Sequence, residues 1–165
     1  MSKKEYIFLS TGYAGGASRF IYDHLNYLTK KNKNTVLVDD QPLKTFSKIP
    51  QKTSIKKISI NKFNSSSNKK LRKLFFKEKN KKIVFLTNYA FIIRYLDIIN
   101  ELNNKKIKIV LTIHSGLLDL SIKKYFAGLL FSFIYKKIDY LYFGSTSAKE
   151  WWLKFYPWMK IKNNL

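Results

Sequence analysis

Apolar runs of strand length alternate along the chain with segments whose apolar residues recur at helical spacing, and this alternation restricts the fold more than any other feature. The strand-like runs are Tyr6–Leu9, Thr35–Val38, a weaker one within Ser54–Ile60, Ile83–Thr87, Ile107–Ile113 and Ile138–Phe143. Between them, Phe20, Ile21, His24, Leu25 and Leu28, then Leu71, Leu74 and Phe75, then Phe91, Ile92, Tyr95, Leu96, Ile99 and Leu102 keep the i, i+3, i+4 period of a helix face. A long helix is expected over Leu118–Lys137, and a last one carries Trp151, Trp152 and Phe155 and stops at Pro157. Gln41–Thr53, with Pro42 and Pro50, reads as a loop. Strands that alternate with helices, joined by right-handed crossovers, give an α/β fold: a Rossmann-like open, mostly parallel sheet of about six strands with helices on both faces. The 165 residues suffice for one such domain and are too few for two ordinary ones.

Ligands in sheets of this kind bind beyond the carboxyl ends of the strands, here at the turns that start at Ser10, Asp39, Thr87, His114 and Gly144. The first of these carries Gly12, Gly15 and Gly16, which permit positive φ and a close approach of backbone to an anion or a sugar at a helix N-terminus. Neither the spacing of a dinucleotide fingerprint nor the Lys-Ser/Thr ending of a P-loop is present. Asp39 and Asp40 stand where carboxylates hold ribose in dinucleotide folds, without that glycine pattern beside them.

With no cysteine, disulfides, thiolate metal sites and cysteine nucleophiles are excluded. The net charge of +22 is spread as Lys-Lys pairs near element ends, such as Lys30-Lys31, Lys81-Lys82 and Lys136-Lys137, and reads largely as a compositional bias toward Lys, Asn and Ile. Such a field still attracts polyanions and anionic lipid headgroups. The longest apolar run, Tyr125–Tyr135, has 11 residues and falls short of the roughly 20 that span a bilayer. A soluble or peripheral, cytoplasmic protein is therefore expected.

Four segments, in this order and spacing, resemble the N-terminal half of a glycosyltransferase family 4 enzyme of GT-B fold. They are Gly15-Gly16-Ala17-Ser18-Arg19, Val110-Leu111-Thr112-Ile113-His114, Phe143-Gly144-Ser145-Thr146-Ser147 with Lys149-Glu150-Trp151, and the tail from Tyr156-Pro157 through Asn164. The resemblance implies that Gly15 and Gly16 present backbone N–H groups to a donor diphosphate or acceptor. Arg19 would meet an anionic group or orient the loop, and His114 would reach the transferred sugar as the catalytic-site residue. It further implies hexosyl transfer without a protein nucleophile and without a metal or bound cofactor, the nucleotide-sugar donor acting as co-substrate. The acceptor would be a glycan or a lipid-linked glycan at the cytoplasmic membrane face, and the basic charge makes an anionic membrane surface a further candidate partner. Nothing in the sequence matches the donor-binding second domain of that family, so a separate domain or subunit would supply it; a fragment, a split enzyme and a remnant remain open.

Plainer roles stand beside these. His24 fits a core or helix-surface position, Asn88 a helix cap with a place at the crevice as a substrate-binding alternative, and Ser145 and Ser147 fit caps. The aromatic segments Tyr125–Tyr142 and Trp151–Trp158 fit core packing or a membrane-facing belt. Other classes compatible with the charge are a noncatalytic membrane-surface domain and a nucleic-acid-binding module. The chain lacks the aromatic or helix-turn-helix patterns of nucleic-acid readers, so a nucleic acid is the less favoured partner.

Overall fold

The computed structural model describes residues 4–10, 15–60, 64–76, 81–114 and 122–159. Strands β1 (Glu5–Leu9), β2 (Asn34–Val38), β3 (Ser54–Lys56), β4 (Lys82–Leu86), β5 (Lys108–Ile113) and β6 (Tyr140–Phe143) form one all-parallel sheet in the order β3-β2-β1-β4-β5-β6. The chain works outward from β1 to one edge, crosses back, and works outward from β4 to the other. The switch point thus lies between β1 and β4, where the carboxyl ends of two adjacent strands diverge into different connections. This is the α/β, Rossmann-like sheet that the alternation predicts.

Side-chain alternation divides the sheet into two unequal faces. On one face Ile7, Leu9, Val36, Val38, Val84, Leu86, Ile109, Leu111 and Ile113 are buried beneath α3 (Ser65–Phe76), α4 (Tyr89–Arg94), α5 (Leu96–Asn104), α6 (Ile122–Ile134) and α7 (Thr146–Phe155). Trp152 of α7 is fully buried there, at 5.2 Å from Tyr89 and 5.6 Å from Phe131 between ring centroids. On the opposite face Phe8 and Leu37 pack with Ile21 and Leu25 of α1 (Gly16–Lys30) and with Phe46. Across the register, the row Leu37, Phe8, Phe85, Val110, Tyr140 continues that second face to the β6 edge.

Several boundaries differ from the sequence expectation. The third strand is only three exposed residues long, and Ile58 and Ile60, expected within it, are buried beyond its end. The segment expected to be all loop contains one helical turn, α2 (Pro42–Thr45), because Pro42 stands at its first position, where the fixed φ and missing N–H cost nothing. The cap of α3 is Asn64, whose Oδ1 accepts from the Ser67 N–H at 2.7 Å, so that Ser65, Ser66 and Ser67, each a residue type that caps helices, lie inside the helix. The helical period that runs from Phe91 through Leu102 is divided between two helices, with a break at Tyr95, φ −122° and ψ 40°. Tyr95 is fully buried and stacks on Phe91, so the break turns Phe91 and Ile92 as well as Ile98, Ile99 and Leu102 into the same core. The expected helix start at Leu118 lies outside the described residues; α6 is followed by a 3-10 turn, Tyr135–Lys137. Arg72 joins α3 to α5 by pairing with Asp97 at 2.8 Å and with Glu101.

Replacement of Trp152 by Ala should lower stability by about 3–5 kcal/mol, because a large aromatic is deleted at a site ringed by other rings. Loss of the α7 cap in Ser145→Ala should cost about 1 kcal/mol. Urea denaturation followed by far-UV circular dichroism measures both, and equal effects would contradict the packing described.

Candidate functional site at the carboxyl rim of the sheet

The rim begins at the β1 to α1 turn. Gly15, the N-cap of α1, has φ +142°, a conformation that L side chains rarely adopt. Its N–H donates to Ser18 Oγ at 2.9 Å, and the same hydroxyl donates back to Gly15 C=O at 2.8 Å. The amide of Gly15 is therefore committed to the cap, whereas those of Gly16 and Ala17 open the helix, where first-turn amides have no intrahelical acceptor. Tyr13 and the rest of 11–14, including Gly12, lie outside the described residues.

His114 follows the last residue of β5 and faces this turn. A Cβ added to Gly16 would lie 3.8 Å from His114 Nδ1, so the helix start and the imidazole are in near contact across the rim. From the other side Gly144, just past β6, is closer still: a Cβ there would stand 2.9 Å from Nδ1 and 3.2 Å from the His114 Cα. Its N–H donates to Ile113 C=O at 2.8 Å, which fixes the approach. The Phe20 ring of α1 meets the imidazole edge-on at 5.4 Å. Burial pushes the His114 pKa below the ordinary histidine value.

Polar atoms left without partners gather along the same rim. Among the described residues, the buried side-chain atoms with no hydrogen-bond partner are Asp39 Oδ2, Thr87 Oγ1, Thr112 Oγ1 and His114 Nε2. Asp39 follows β2, Thr87 follows β4, Thr112 is the penultimate residue of β5 and His114 follows it. An unsatisfied buried polar atom costs about 1–3 kcal/mol, so their concentration at one end of the sheet makes this rim the candidate site for contact with polar groups.

Below His114 a cavity of about 700 Å³ runs along the second face of the sheet, over β4, β5 and β6. Its lining includes Phe20 and His24 of α1, Phe85, Thr112, Tyr140 and Tyr142. Both histidines of the chain thus line one cavity. His24 Nδ1 lies 2.9 Å from the Phe20 carbonyl, which only accepts, so Nδ1 is the donor in that hydrogen bond. A second cleft of about 600 Å³ at the amino ends of the strands is lined by Lys52, Lys56, Lys70 and Lys73, and none of the orphaned atoms belongs to it.

The sequence-predicted residues divide accordingly. Gly16 and His114 come together, with Gly15 one residue away at the cap. Arg19 stays outside this contact: its side chain is 86% exposed, and its nearest acid is Asp23 at 4.0 Å, on the next turn. Asn88 caps α4, its Oδ1 accepting from the Ala90 N–H at 2.8 Å. Ser145 likewise caps α7 through the Ala148 N–H at 3.1 Å. The tail from Lys160 and the residues 115–121 are outside the described residues. His24 and the aromatic cavity lining were missed; the signal lay in strand period, since Phe85, Val110, Thr112, Tyr140 and Tyr142 are the residues of alternate parity, and among the described residues no helix covers them fully.

No family model matches the sequence, and no curated protein matches it. A structure described as a Rossmann-fold NAD(P)-binding family protein from Shigella flexneri superposes with a TM-score of 0.52 at 18% identity. The match covers 85% of this chain and 66% of that one. The chain is a Rossmann-like domain. At that identity the likeness concerns the fold, and the rim must be read from its own atoms.

Two measurements test the rim. Gly144→Ala should destabilise the protein by about 1–3 kcal/mol, because backbone as well as ring obstructs the new methyl group, while Gly16→Ala, with only ordinary contact, should change stability far less. In an NMR titration the His114 ring protons should show a midpoint below about 6.5. The folded state then holds His114 neutral where the unfolded chain takes up a proton, so its contribution to stability is complete above the ordinary histidine value of about 6.5 and is lost as pH falls from there through the lowered midpoint. His114→Gln should remove that part of the pH dependence.

Proposed function

We propose that the chain is the acceptor-side domain of a sugar-transferring enzyme of the GT-B, glycosyltransferase family 4 kind, moving a hexose from a nucleotide sugar to a glycan or lipid-linked acceptor. The observation that supports this most is the grouping of His114 with the Gly16 helix start and Gly144 at the carboxyl rim, its Nε2 buried and unpartnered among the described residues. A neutral imidazole held in that way can hydrogen-bond a sugar hydroxyl without presenting a positive charge. The open amides at the start of α1 suit a phosphate oxygen or a hydroxyl. Gly144 keeps the space beside the ring clear of a side chain, so the wall on that side is backbone. Donor contacts would come from a second domain, in the same polypeptide or another.

A nucleotide-binding module that is not a transferase is the second reading, and Asp39 favours it. This carboxylate is fully buried after β2, with Oδ1 accepting from the Gln41 N–H at 2.7 Å and Oδ2 without a partner among the described residues. Paired ribose hydroxyls would satisfy such an oxygen, and the Shigella flexneri protein is described as NAD(P)-binding.

The experiment that separates them mixes the chain with a donor-binding GT-B domain supplied in trans and follows release of nucleoside diphosphate from nucleotide sugars. On the transferase reading, His114→Ala lowers turnover by about 10²-fold while Asp39→Asn has a small effect. Calorimetric binding of NAD(P) that Asp39→Asn abolishes, with no release of nucleotide in any pairing, would establish the second reading instead.

A further inference from the structure

The charge-free run Tyr125–Tyr135 supplies most of α6, and the helix is apolar on opposite sides. Phe131 is fully buried, 5.5 Å from Tyr89 and 5.6 Å from Trp152. At about 100° per residue, Phe126, Leu130 and Phe133 share an arc of about 60° that points away from Phe131. They are 56%, 55% and 66% exposed. Trp158, beyond α7, extends the patch: its ring stacks on Phe133 at 5.7 Å with planes 17° apart, and its Nε1–H donates to Ser132 Oγ at 3.1 Å. The indole is therefore held against the helix at a fixed place while remaining 45% exposed.

We propose that this face of α6, together with Trp158, docks on an anionic lipid bilayer with the helix lying in the plane of the headgroups. A helix that is apolar on two opposite sides needs a second apolar environment beyond its own core, and here the outer side has none within the described residues. The occupant is selected by charge. The chain carries +22, the exposed Lys136 follows the patch within one turn of Phe133, and the exposed Lys154 lies on the helix that leads to Trp158. A second copy of the chain would bring like charge to like charge, whereas anionic headgroups neutralise it. A nucleic acid would satisfy the lysines but leave Phe126, Leu130 and Phe133 in water. Trp beside Lys is the pairing that suits the boundary between headgroups and acyl chains. The 13 residues of α6 are too few to span, and no described helix is long and apolar enough to cross a membrane. This inference stands apart from sugar transfer, since it uses none of the rim residues.

The test is sedimentation of the full chain with vesicles of phosphatidylcholine alone or mixed with phosphatidylglycerol. Binding to the mixed vesicles should be at least ~10-fold tighter than to phosphatidylcholine, and the triple replacement Phe126→Ala, Leu130→Ala, Phe133→Ala should weaken it by at least ~10-fold without changing net charge. Lipids brominated in the acyl chain should quench tryptophan emission in the wild type and much less in Trp158→Phe, a readout that serves even where the triple variant folds poorly. The proposal is overturned if the triple variant binds as the wild type does, if mixed vesicles do not bind, or if the patch instead supports a concentration-dependent dimer or duplex DNA binding that the triple variant abolishes.

Discussion

A parallel sheet must be covered on both faces, and among the described residues that requirement is met in full on one face and only in part on the other. The layer of α3 to α7 closes the first face from β2 to β6, while on the second face α1 and Phe46 cover Leu37 and Phe8, and past Phe85 only the Phe20 ring reaches on toward His114 among the described residues. Phe85 is pinned between Phe8 at 4.5 Å and the aromatic side of α1, and it marks the limit of that cover. Beyond it Tyr140 and Tyr142 stand 40% and 39% exposed. The cavity that opens onto His114 is thus a consequence of topology, the space left where the second layer ends.

The rim depends on that geometry through two glycines of different kinds. Gly15 is needed for its backbone angle, which ends the turn and lets Ser18 fold back on it. Gly144 is needed for its missing methyl, because β6 leaves the sheet directly beside the imidazole. One shapes the start of α1 and the other lets the β6 connection pass His114, so the ring is clamped between two connections and Phe20 without a hydrogen bond to its Nε2. Position is fixed by packing, and the polar atom is left over.

The parallel sheet of about six strands and the position of its carboxyl rim could be read from the sequence because they follow from long-range regularities; the order of the strands came only with the structure. Apolar runs such as Val84–Leu86 and Ile109–Ile113 announce buried strands, and their carboxyl ends follow from direction alone. What could not be read depended on local competition. Asn64 outcompetes three serines for the α3 cap, and Tyr95 breaks a helix whose periodicity runs through it undisturbed. Arg19 and Asn88 occupy the elements expected of them, but one side chain extends into solvent and the other bonds its own helix. His24 fits a core or helix-surface position by periodicity, which assigns a face, and only the partial cover of the second face among the described residues makes that face a cavity wall.

The two proposed surfaces share one connection. In a sheet of parallel strands each crossover helix runs back against the strands, so α6 starts at the rim that holds His114 and ends at the opposite one. Seven residues, 115–121, join the histidine to that helix. A bilayer laid along Phe126, Leu130 and Phe133 would therefore keep the carboxyl rim beside the headgroups, and a lipid-linked acceptor could reach the rim with its tail still in the membrane. A soluble glycan would gain nothing from that arrangement. The exposed flank of α6 consequently favours, between the two acceptor classes proposed, the one that carries a lipid.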